Sequence, residues 1–73
     1  MKTAYITAAY PQDVARQVEE QVAQGCRSFV LRPVAGSGMA VQQLDQERLG
    51  AARYAAGLQA EVVLESGVPV AAR

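Results

Sequence analysis

Apolar residues recur along this chain with a period of two, then of three to four, then of two again. Thr3-Ala4-Tyr5-Ile6-Thr7 alternates and is built from residues that favour strands. Thr3, Tyr5 and Thr7 fall on one side, Ala4, Ile6 and Ala8 on the other, which predicts a strand over about 3–8. Val14, Val18 and Val22 then recur at every fourth position, with Ala15 beside them and polar residues around the remainder. This stripe predicts a helix over about 11–24. Pro11 suits a first helical turn, where a missing N–H costs nothing. Asp13 places a negative charge near the positive end of the helix dipole.

The next run loses its alternation. Phe29, Val30 and Leu31 are consecutive, so a strand over about 27–32 has apolar residues on both faces, the pattern of a buried parallel strand. Pro33 ends it and holds Arg32 extended. Beyond Gly36-Ser37-Gly38 two readings stand open. Either Ser37 caps a helix that begins at Met39, or Asp45 is the cap and the helix covers about 45–56, with 39–44 extended or irregular. Leu49, Ala52 and Ala56 share one face of it, and Gly57 stops it. Ala60 to Glu65 predicts a third strand, its glutamates pointing opposite to Val62 and Leu64. Ser66-Gly67 then reads as a turn and Val68-Pro69-Val70 as a short edge segment, since proline is excluded from central strands.

The order β-α-β-α-β implies one small α/β domain over residues 1–73, Rossmann-like in its alternation, with a three-stranded parallel sheet and right-handed crossovers. The most apolar strand belongs in the middle, giving the order 1-2-3. That order puts both helices on one face and leaves the other uncovered, for the tail or a second subunit to cover. The competing order, 2-1-3, sets one helix on each side, as in flavodoxin-like folds.

Composition narrows the possibilities. A chain of 73 residues buries only about 60% of its unfolded surface, and scaffolds of this size commonly rely on a disulfide, a metal or a partner. Cys26 is the only cysteine and there is no histidine, so an internal disulfide and the usual Cys/His zinc spacings are absent. Association is the remaining staple, which implies a homo-oligomer, a dimer for instance, or a protein partner. Seven basic and seven acidic residues balance, which argues against broad attraction to nucleic acid or an anionic membrane. No apolar run approaches the roughly 18 residues of a membrane span. The alternating N-terminal stretch is unlike a signal peptide, so the expected location is cytoplasmic.

Few residues offer chemistry. Arg32, Gly36, Ser37 and Gly38 follow a strand, where α/β folds bind ligands, and two glycines can admit a phosphate to backbone N–H groups. The run is neither G-x-G-x-x-G nor a Walker A motif. Thr3, Tyr5, Thr7 and Tyr10 offer hydroxyls and aromatic rings suited to an interface. Cys26 has no histidine to activate it and reads as a small buried residue. Asp45, Glu47, Arg48 and Arg53 read as a solvated helix face, with Asp45 as its cap. No catalytic residue, metal site or cofactor is expected.

Two family resemblances follow from dispersed residues. Ala4-Tyr5-Ile6, Arg16-Gln17, Gly25-Cys26 and Ser37-Gly38 loosely resemble the start of the serine-recombinase catalytic domain. The positions that would hold that family's nucleophile read Thr7-Ala8-Ala9-Tyr10, so the resemblance carries no strand-cleaving activity. Gly36-Ser37-Gly38, Asp45, Ala51-Ala52, Gly57 and Val62-Val63 are similar to the nucleotide-binding half of Rossmann-like proteins related to lysine decarboxylases, with an incomplete glycine signature. The function expected from the residues is that of a non-catalytic binding or accessory module, which self-associates or holds a protein partner through an open sheet face or edge. The alternative is a phosphate- or nucleotide-binding domain, or enzyme subunit, that uses the loop after the second strand.

Overall fold

Hydrophobic spacing and parallel pairing together build the element order β1 (Thr3–Ile6), α1 (Pro11–Ala23), β2 (Ser28–Leu31), α2 (Met39–Ala56) and β3 (Glu61–Leu64). The structure, a computed structural model, describes residues 2–36 and 38–65. Ser37, the Ser66-Gly67 turn and the Val68–Val70 edge segment lie outside the described residues. The three strands are parallel, in the order β1-β2-β3. The 2-1-3 order does not occur.

The register explains how the strands divide their residues. Ala4 lies beside Phe29 and Phe29 beside Val62, while Ile6 lies beside Leu31 and Leu31 beside Leu64. Ala4, Ile6, Phe29, Leu31 and Val62 form one buried cluster with Val14 and Val18 of α1 and Ala52 of α2. Both helices therefore cover the same face of the sheet, and they also pack against each other. Small residues permit this closeness: Ala52 is fully buried, and Ala55, Ala56 and Ala60 pack around the cluster.

Each helix starts without a side-chain cap. Tyr10 occupies the N-cap of α1 in an extended conformation, ahead of Pro11, and Asp13 lies in the first turn. Its carbonyl accepts from the N–H groups of Asp13 and Val14. Helix α2 begins at Met39 directly after Gly38, so the open question over residues 39–44 is answered in favour of helix. Asp45 is consequently well inside the helix and does not cap it. At the other end the Gly57 N–H donates to the Arg53 carbonyl at 3.1 Å, and the chain turns back into β3.

Candidate functional site

Among the described residues no helix or strand packs on the sheet face opposite the two helices. Thr3, Ser28 and Glu61 form one row across it in register, and Tyr5, Val30 and Val63 form the next. Tyr5 is 56% exposed and Val63 38%, whereas Val30, flanked by both, is 8% exposed. The Arg32 guanidinium lies over the Tyr5 ring, 5.7 Å from its centre, a cation–π contact at the carboxyl end of the row. Among the described residues β1 and β3 each pair only with β2, so each leaves one backbone edge unpaired.

Two of the proposed interface residues are also tied to α1. Gln17 Oε1 accepts from the backbone N–H groups of Thr7 and Ala8 at 3.0 and 3.1 Å, and its Nε2 donates to the Thr7 hydroxyl at 3.3 Å. Thr7 thus anchors the end of β1 to the helix layer as well as standing exposed. Tyr10 is half-buried as the N-cap of α1. Thr3 and Tyr5 remain exposed on the open face.

The loop after β2 is held from beneath. The Arg32 carbonyl accepts from Arg48 Nη1 at 2.7 Å, and the Val34 N–H donates to Asp45 Oδ1 at 3.1 Å. Gly36 and Gly38 follow with φ of 117° and 106°, values that a side chain would strain. They lead into the N-terminus of α2, so the geometry needed to approach an anion is present in part. No cavity occurs among the described residues. No group of three or more His, Cys, Asp or Glu side chains placed to hold a metal occurs among them either.

The largest departure from expectation is the pair Asp45 and Arg48. Arg48 is fully buried and Asp45 is 7% exposed, so neither belongs to a solvated face; Glu47 and Arg53 are exposed, as the sequence implies. Arg48 Nη1 donates to Asp45 Oδ1 at 2.8 Å, and Nε donates to the Ala8 carbonyl at 3.0 Å. One arginine therefore joins α2 to the chain leaving β1 and the chain leaving β2. A signal was available. Val41, Leu44, Asp45, Arg48, Leu49, Ala52 and Ala55 follow the i, i+3, i+4, i+7 spacing of one helix face, and the two charges lie inside that apolar stripe.

Comparison with known proteins places the fold only. No protein-family model and no curated protein matches the chain. Among solved structures, the crystal structure of a mandelate racemase/muconate lactonizing enzyme from Roseiflexus sp. matches with a TM-score of 0.78 and 25% identity. The match covers 86% of this chain and 18% of the enzyme's. The chain thus spans less than a fifth of the length of that protein, and what the two share is the β-α-β-α-β unit.

Proposed function

We propose that the chain is a binding module without catalysis of its own, and that it self-associates through the unpartnered parts of its sheet. The observation that carries this reading is the singly covered parallel sheet. Among the described residues both helices lie on one face, Tyr5 and Val63 stand exposed on the other, and neither β1 nor β3 has a second pairing strand. Parallel sheets are ordinarily covered on both faces, and an unpaired apolar edge is a template for another strand. We also propose a cytoplasmic location, where Cys26, the single cysteine of the sequence and buried, needs no disulfide partner. Among the described residues no helix is long and apolar enough to cross a membrane.

Sedimentation equilibrium tests the reading. A mass at or above twice 7.7 kDa is expected, and a clean monomer at high concentration overturns it. A second reading keeps one supporting observation: Gly36 and Gly38 lead straight into the N-terminus of α2, a site that favours anions. In that reading phosphate or a nucleotide raises the melting temperature and Arg32→Ala removes the shift; no shift across a nucleotide panel rejects it.

A further inference from the structure

We infer that β1 pairs antiparallel with β1 of a second copy of this chain, about a two-fold axis at Tyr5, and so joins two three-stranded sheets into one of six. The inference rests on the self-association proposed above and names the edge and the geometry. A two-fold contact closes after one partner, whereas head-to-tail pairing of β3 with β1 repeats until a ring or a fibre results.

The two edges differ in what a two-fold would set side by side. About Tyr5, each Tyr5 faces the other copy's Tyr5 and Ala4 faces Ile6, while Thr7, whose N–H and hydroxyl are held by Gln17, lies beyond the paired strand. The facing residues make aromatic and apolar pairs of the kinds that stabilise antiparallel neighbours. The strand itself carries no charge; Lys2 falls opposite Ala8, and the Arg32 guanidinium lies over the Tyr5 ring on the open face. About Val63, the same operation on β3 sets Glu61 opposite Glu65 twice, and like charges directly opposed are destabilising. The β1 pairing also keeps residues of like orientation together. Tyr5 is on the open face in both copies, and Ala4 and Ile6 are on the helix-covered face, so the open faces become continuous.

Light scattering on the full chain and two variants tests this. The unaltered chain is expected near twice 7.7 kDa. Tyr5→Lys, which opposes two like charges across the axis at an exposed position, is expected to give a folded monomer by circular dichroism and scattering. Val63→Lys, the matched change on β3, is expected to leave the dimer intact. Backbone amides of Thr3–Ile6 are expected to exchange more slowly as concentration rises, with those of Glu61–Leu64 unchanged; this readout stands even if Tyr5→Lys fails to fold. A dimer that survives Tyr5→Lys, or β1 exchange independent of concentration, overturns the β1 pairing while leaving self-association in place. A monomeric unaltered chain overturns both.

Discussion

One sheet presents two faces with different fates. On the helix-covered face, Ile6, Phe29 and Leu31 are completely shielded, along with Val14 and Val18 above them. On the other, Val30 is 8% exposed between its in-register neighbours Tyr5 and Val63, which are 56% and 38% exposed. The strands, pairing and registers are common to both faces, so the difference lies in the connections. Each right-handed crossover in a 1-2-3 sheet lands its helix on the same side. Topology, more than residue choice, therefore decides which apolar residues become core and which become an offered surface.

Removing bulk from the covered face has the largest expected effect. Phe29→Ala leaves a cavity beneath both helices and should cost about 3–5 kcal/mol in denaturant unfolding. A 73-residue chain carries stability on the order of 4–11 kcal/mol, so this variant is expected to lose from roughly a quarter to all of it. A loss below about 1 kcal/mol would mean that the helices do not seal this face.

Arg48 tests the same side through polarity. Arg48→Ala strands the Asp45 carboxylate and frees the Ala8 and Arg32 carbonyls, at an expected cost of about 3–5 kcal/mol, as for removing one partner of a buried pair. Arg48 Nη2 is buried with no partner among the described residues, so the network is incompletely satisfied. Replacing both members, Asp45→Leu with Arg48→Met, removes the stranded charge but still leaves the Val34 N–H and the Ala8 and Arg32 carbonyls without their partners, so it should restore only part of the loss. If the double variant is as unstable as the single ones, the pair does more than fill space: it fixes the loops that leave β1 and β2.

How much of this was legible in the chain depends on whether the cause is local. The strand Thr3–Ile6, the Val14/Val18 stripe and the central run Phe29–Leu31 announce themselves through period and β-propensity, and the order 1-2-3 follows from placing the most apolar strand in the middle. The start of α2 has no such mark. Gly38 offers no side-chain cap and the first turn contains no acidic residue, so in the sequence Asp45, a favoured capping residue, competes as the beginning. Asp45 and Arg48 were hidden for another reason. Charges on a helix are usually solvated, and only the arrival of two carbonyls and an N–H from distant loops makes their burial tolerable. Those partners lie 11 to 40 residues away, beyond the reach of a local pattern. The open face was legible as a consequence of the fold, because the in-register row of Tyr5, Val30 and Val63 follows once the strands are parallel and the helices share a side.

The smallest expected effect is at Val30, and it gives the sharpest contrast between the faces. Val30→Ala removes two methyl groups from a buried residue of the sheet that lies outside the cluster under the helices. In dilute solution the expected cost is about 1 kcal/mol, below that of a core position, because Val30, although buried, lies outside the cluster packed under the helices. Phe29, one residue earlier on the same strand, should then exceed it several-fold. Denaturant midpoints for the two variants at one low protein concentration measure that ratio. Were Val30→Ala to cost more than about 2 kcal/mol, the value for a deeply packed side chain, the open face would have to be covered in solution. Repeating the measurement at higher concentration then separates cover by a second copy from cover within the chain, because only the former makes the penalty grow with concentration.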